Sequence, residues 1–315
     1  MRSRCENNIR CRTHGCYVVA CTRKVALAAG AQTLRQPCVT HDGSLIAIIG
    51  TSTRSIRVRL TQAIVRIPAT NFAAGISSCA GGGSPDFTLA LTQHEHYCEA
   101  LSDCGLELTK LAPDPQHPDS TFVEDAAVLT SRAAIVTRPG APSRLAEATA
   151  MLEPLRGFFS TVREIQPPGT VDGGDVCEAD GDFVIGLSAR TNEEGARQLG
   201  AFLSDFGHKS TLVDIRACKA LLHLKTGLSY LGEGVFVVAA QTQLRDALDR
   251  YELITVSRAE AYAANCIRVN ERILIAAGYP KVLAALTARG YQVITLEMSE
   301  FKKMDGGLSC LSLRF

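Results

Sequence analysis

Residues Asp175-Val-Cys-Glu-Ala-Asp-Gly-Asp-Phe-Val-Ile-Gly186 decide the fold. Two short apolar runs flank Ala179-Asp-Gly-Asp182, a cluster of turn formers, so the stretch reads as two strands joined by a tight turn. The residues beyond it have a different period. Leu199, Leu203 and Phe206 recur at helical spacing and Gly207 stops the run. Thr191, with Glu194 three residues on, predicts a capping box at the helix start. A further strand is expected over Thr211 to Ile215. The unit is strand, strand, helix, strand.

That order recurs along the chain. Asp125-Ala-Ala-Val-Leu-Thr and Ala133-Ala-Ile-Val-Thr predict a strand pair, with a helix from Ser143 to Leu155 behind it. Leu228 to Ala240 predicts another pair, with a helix near Leu244. Cys266-Ile-Arg-Val, the turn Asn270-Glu271 and Ile273-Leu-Ile-Ala276 predict a third, followed by a helix begun by Pro280 and a strand over Gln292 to Leu296. One copy is split: Ala63 to Ile67 and a helix before Leu106 lie at one end, Gly307 to Phe315 at the other. Units of ~40–50 residues fall in the period range of propellers and arrays. Pairing the last strand with the first closes a ring. The expected fold is α/β, a five-bladed αβ-propeller of ββαβ units around a central funnel.

Composition narrows the function classes. The chain has 315 residues, 46% apolar and 21% charged, enough to bury a sizeable core. No run approaches the ~18 apolar residues of a membrane helix, so no membrane partner is expected. With 33 basic and 32 acidic residues the net charge is +1, which leaves no nucleic-acid footprint. The charge is uneven, however: residues 1–60 hold ten basic and two acidic side chains and five of the 12 cysteines. Cys11, Cys16 and Cys21 with His14 lack the close cysteine pairs of common structural zinc sites. A secretory leader fits poorly, because the apolar stretch Tyr17 to Cys21 is short and is followed by Arg23-Lys24. Residues 1–59 are therefore expected to be an extension, disordered or translated from a misplaced start, ahead of a catalytic domain over 60–315. Many free cysteines point to a reducing cytoplasm.

The starts of the units carry the chemistry. Asp119, Glu124 and Asp125 precede one unit, Asp172 and Asp175 the next, then His223, Asn265 and Cys310. A cysteine and a histidine are a nucleophile and its proton shuttle. Carboxylates around them suit a cationic head group, and a planar guanidinium donates in a fork that paired carboxylates match. Taken alone, Cys98, Cys104, Cys177, Cys218 and Cys266 read as small buried hydrophobes, His223 reads equally as a core histidine, Asp175 as a turn cap, and Arg144 as a surface residue at a helix start. Gly173-Gly174 and Gly306-Gly307 suggest close backbone approach.

His223-Leu-Lys-Thr-Gly, Asp119-Ser-Thr-Phe-Val-Glu-Asp125, Arg138-Pro-Gly-Ala-Pro-Ser-Arg144, Ser188-Ala-Arg-Thr-Asn192, Asn265-Cys and Asp305-Gly-Gly-Leu-Ser-Cys310 resemble the dimethylarginine dimethylaminohydrolase family. That family belongs to the guanidino-modifying superfamily, the penteins, whose fold is a five-bladed αβ-propeller. The resemblance runs from about Ala63 to Phe315. It implies that Cys310 attacks the guanidinium carbon, that His223 is general acid and then general base, and that Asp172 is the third catalytic group, where relatives also carry Glu. It further implies that Asp125 and Asp172 hold the guanidinium and that Asp119 and Glu124 order the pocket. Phe122 would lie against the substrate, Arg144 and Arg190 would grip its α-carboxylate, and the carbonyls of Ile76 and Met304 would take its α-amino group. The glycine-rich stretch from Gly75 to Ser84 reads as a lid. No cofactor and no metal are expected; the partner is a small methylated arginine, and the state monomer or homodimer. The alternatives are an arginine deiminase or amidinotransferase using the same groups, and a silent arginine-binding regulator.

Overall fold

The computed structural model describes residues 59–78, 83–242 and 244–315, together with an antiparallel strand pair, Cys38–Val39 and Leu45–Ile46. The zinc, leader and disorder readings of residues 1–58 and the tip of the Gly75–Ser84 stretch lie outside the described residues.

Five three-stranded sheets succeed one another along the chain. The first joins Leu313–Arg314, Gln62–Arg66 and Glu107–Leu111. The second joins Ala127–Leu129, Ala134–Val136 and Val162–Glu164. The third joins Val176–Ala179, Asp182–Leu187 and Ser210–Asp214. The fourth joins Leu228–Gly232, Val235–Ala239 and Glu252–Val256. The fifth joins Ile267–Val269, Arg272–Ala276 and Gln292–Leu296. In each blade the first two strands are antiparallel, joined by a tight turn in all but the first, where the two ends of the ring meet, and the third is parallel to the second, which needs a crossover. Helices fill most crossovers: α1 (Phe87–Asp103), α2 (Leu145–Thr149) with α3 (Leu152–Arg156), α4 (Glu193–Asp205) and α5 (Pro280–Ala288). The expected five-bladed αβ-propeller is the observed architecture.

The ring closes where the sequence places the closure. Leu313 pairs with Ile64 and Arg314 with Ala63. The Phe315 carbonyl also accepts from the Thr61 and Gln62 amides at 2.8 Å each. Apolar side chains from neighbouring blades merge between the sheets; Ile64, Val136, Leu155 and Leu313 share one such cluster.

Three local expectations are corrected. The helix over Ser143 to Leu155 is broken at Ala150-Met151 into α2 and α3. Pro154 has no N–H to return to Ala150, so it is tolerated only in the first turn of a new helix. The helix near Leu244 is replaced by two short 3-10 turns, Ala240–Thr242 and Asp246–Leu248. The cap of α4 is Asn192, whose side chain accepts from the Gly195 amide at 2.8 Å, and not Thr191. Thr191 is spent elsewhere, on Asp175 and Asp172.

A 3-10 turn leads into the first strand of every blade: Val123–Ala126, Gly173–Asp175, Leu224–Thr226, Arg258–Ala264 and Ser309–Leu311. The first four turns touch in succession, Asn265 at the end of the fourth bonds to Ser309, and Ser309–Leu311 meets Val123–Ala126, so the turns form an inner ring. Of the polar residues marked in the sequence, Glu124, Asp125, Asp175 and Cys310 ride on this ring, Asp172 and His223 directly precede a turn, Asn265 directly follows one, and Asp119 lies four residues ahead of Val123.

Candidate active site

The inner ring surrounds a cavity of about 380 Å³, part of it open to solvent. Cys310, His223, Asp125, Asp119, Arg144 and Arg190 line it. Ile76, Phe122 and Met304 complete the expected wall, joined by Leu222, Asp305 and Gly306. Asp172 and Glu124 are not on the wall; both are buried behind it.

His223 Nε2 lies 2.9 Å from Asp172 Oδ2. The other oxygen, Oδ1, accepts from the Gly140 amide at 2.8 Å, and the Asp172 amide donates to Thr191 Oγ1 at 3.1 Å. Asp172 is thereby fixed and in turn fixes the imidazole. Asp175 supports the same corner: it accepts from Ser188 Oγ at 2.6 Å, Thr191 Oγ1 at 2.7 Å and the Leu224 amide at 2.9 Å. Burial alone would lower the His223 pKa, but Asp125, the hydrogen bond to Asp172, and Asp175 outweigh it and hold the imidazole up at about 9. At neutral pH it is an imidazolium, a proton donor. Asp125, Asp172 and His223 offer ligand atoms within 4.8 Å of one another, a cluster that attracts a cation. A planar hydrogen-bonding cation matches the geometry of such acceptors.

Asp125 is engaged twice. Its Oδ1 accepts from the Gly174 amide at 2.9 Å and its Oδ2 meets Arg144 Nη1 at 2.6 Å. Arg144 is no surface residue: it is 6% exposed, and its Nε donates to Glu147 at 2.8 Å. Its Nη2 reaches the carbonyls of Asp119 and Phe122 at 3.3 and 3.2 Å. Four of the five N–H protons of a guanidinium are thus committed, and one on Nη1 is left for a ligand. Burial opposes ionisation of Asp125, but His223 and Arg144 hold its carboxyl down at about 2. Burial pushes Glu147 up to about 7 despite Arg144. Arg190 is less encumbered, with Asp172 at 4.0 Å.

The Cys310 thiol is pushed up to about 12, first by burial and then by Glu124 and Asp125. Behind it, Glu124 accepts from Ser309 Oγ at 2.7 Å and pairs with Lys225 at 2.7 Å. The paired glycines admit close backbone approach. A Cβ on Gly174 would stand 2.8 Å from Asp125 Oδ1 and 2.9 Å from His223 Cγ; one on Gly307 would stand 2.5 Å from Asn265 Oδ1. At the mouth, Asp119 accepts from the Ile76 amide with both oxygens at 3.1 Å. Asp305 accepts from the Ser78 amide at 2.5 Å and Ser78 Oγ at 2.8 Å, which ties the Gly75–Ser78 limb to the Met304–Gly306 wall.

Glu147, Lys225, Ser309 and Asp305 carry no mark in the sequence as site residues. Glu147 stands one helical turn from Arg144 and could have been found by that spacing. Lys225, Ser309 and Asp305 lie inside the family motifs, but nothing in sequence distinguishes them from solvated neighbours.

No family model matches the chain. It is 44% identical to the N(G),N(G)-dimethylarginine dimethylaminohydrolase of Pseudomonas aeruginosa over 253 residues, 80% of this chain and 98% of that protein. The chain belongs to the dimethylarginine dimethylaminohydrolase family. The dimethylarginine dimethylaminohydrolase of Streptomyces coelicolor is 33% identical over 253 residues, 80% of this chain and 96% of that one. A solved mutant of the Pseudomonas aeruginosa dimethylarginine dimethylaminohydrolase, complexed with citrulline, superposes with a TM-score of 0.79 at 42% identity. It covers 82% of this chain and all of that one. The pentein fold expected from the motifs is therefore the fold of this chain and of its dimethylarginine dimethylaminohydrolase relatives.

Proposed function

We propose that this chain hydrolyses Nω-methylated arginines to citrulline and dimethylamine or methylamine through a covalent thiouronium on Cys310. The observation that carries the reading is a thiol sharing one cavity with an imidazolium and the Asp125 carboxylate, with Asp172 buried behind the imidazole. Membership of the dimethylarginine dimethylaminohydrolase family supports it. The catalytic domain is residues 60–315, with 1–59 an extension. The state is monomer or homodimer. Six described cysteines are free, which suits a reducing cytoplasm. No helix among the described residues is long and apolar enough to cross a membrane.

The guanidinium enters beside Asp125, with Asp172 holding His223 from behind the wall, and its positive charge offsets the carboxylates that hold the thiol neutral. Cys310 loses its proton to solvent, since the imidazolium is already charged, and Sγ attacks the guanidinium carbon. The bond from that carbon to the dimethylamino nitrogen breaks with its electron pair on nitrogen, and His223 delivers the proton that makes dimethylamine. Water, deprotonated by the now neutral His223, attacks the thiouronium; the C–S bond breaks and the thiolate returns. A citrulline assay across methylarginines, arginine and agmatine, with the released amine identified, tests the reading; turnover of agmatine but not of methylarginines would overturn it.

Two further outcomes are expected. The thiolate absorbance of the free protein, taken as wild type minus Cys310→Ser, should rise only near pH 12 and move toward neutrality with a non-reactive guanidinium bound. A thiolate already present at neutral pH in the free protein would refute ionisation by the substrate. Arg190→Ala should raise KM by roughly 10- to 100-fold, the worth of a charged hydrogen bond of ~1.5–3 kcal/mol, with little change in Tm. The matching change at Arg144 is expected to do more than raise KM. It strands Asp125 and Glu147 as buried carboxylates, at a stability cost of about 3–5 kcal/mol.

A further inference from the structure

We propose that Asn265 is a positioning residue for the nucleophile, joining the turn that carries Cys310 to the segment that carries His223; the inference rests on the reading of Cys310 as nucleophile given above. Asn265 is buried and does not line the cavity. Its Nδ2 donates to the Lys225 carbonyl at 2.8 Å and to Ser309 Oγ at 3.0 Å, and its Oδ1 accepts from the Ser309 amide at 3.0 Å. Ser309 Oγ passes its own proton to Glu124 Oε2 at 2.7 Å, and Glu124 Oε1 returns to Lys225 Nζ at 2.7 Å.

The loop is closed, and the three partners of Asn265 in it stand within two residues of a reacting group. Ser309 directly precedes Cys310, Glu124 directly precedes Asp125, and Lys225 lies two residues after His223. One primary amide therefore couples the segments that present nucleophile, acid and imidazole, while touching neither the cavity nor its contents. Gly307 is shaped around it: a Cβ there would collide with the Asn265 amide. No other side chain of this size offers two donors and an acceptor in one plane without a charge. Asp at this position would keep the contact to the Ser309 amide, lose both donors, and add a charge near a thiol already opposed by Glu124 and Asp125.

Asn265→Ala is expected to lower kcat by ~100-fold, the scale of a small misplacement of reacting groups, with KM within about threefold of wild type. The single-turnover rate of thiouronium formation, read by quenched intact-mass analysis, should fall by the same factor in protein that gives an unchanged far-ultraviolet spectrum. Ser309→Ala, which loses only the hydroxyl, should lower kcat by ~10-fold and serves as the test should Asn265→Ala fail to fold. The double variant should be no worse than Asn265→Ala, because the two side chains act as one unit. Wild-type protein that forms no citrulline from methylarginines would remove the functional reading itself. Wild-type turnover with kcat unchanged in both single variants, or a loss confined to KM, would overturn the positioning role alone.

Discussion

Cys310→Ser is expected to lower citrulline formation by at least ~10⁴-fold while methylarginine still binds. The hydroxyl that replaces the thiol ionises far above the range that one bound cation can bridge, so attack on the guanidinium carbon stops. The binding groups are untouched: Asp125 stays on Gly174 and Arg144, and Arg190 stays beside Asp172. Calorimetric titration of the variant with dimethylarginine should therefore give an affinity near the wild-type KM. Residual turnover above a hundredth of wild type would exclude a covalent route through this residue.

His223→Gly should cost ~10²–10⁴-fold with methylarginine, because dimethylamine is a poor leaving group until it is protonated. An analogue whose leaving group needs no proton should still modify Cys310 in this variant and then stall, since the water that would release it has lost its base. Rapid release of product from that analogue would take His223 out of the second half of the reaction. The same imidazole predicts two pH effects. Its folded value of about 9 means that the wild-type rate should fall above that pH as the proton for the leaving amine is lost. The folded pKa also lies above the reference value of 6.5, so the stabilisation from His223 is complete below 6.5 and disappears as pH rises through about 9. Tm should decline across that window in the wild type, and the decline should vanish in His223→Gly.

The blades were readable because each hairpin announces itself. Asn270 and Asp180 sit in left-handed turns between short apolar runs, at φ of 53° each, a conformation that Asn and Asp tolerate better than other side chains with a Cβ. The fourth crossover was misread for a geometric reason. Leu244 and Leu248 have helical spacing, but only residues 240–251 separate Ala239 from Glu252. Returning along a five-residue strand takes ~17 Å, or about 11 helical residues, which leaves about one for the two connections. Length outranked periodicity. At the cap of α4, the capping-box spacing points to Thr191, although asparagine is the stronger cap. The decision is made in three dimensions, where the buried carboxylate of Asp175 claims the threonine hydroxyl. The site was legible in its motifs, yet the state of Arg144 was not. Nothing in a linear reading says that a guanidinium expected to face a ligand already bridges two buried acids.

The radial arrangement of the inner turns also has a consequence for dissection. Asp125, Arg144, Asp172 and Arg190 arrive before the exposed stretch Arg216 to Ala220, while His223 and Cys310 arrive after it. A break there would yield two inert halves, one holding the anionic cradle and the other the reactive sulfur and its proton carrier. Reassembly on mixing would restore chemistry only when the halves dock in register, so the enzyme contains a natural split point for complementation.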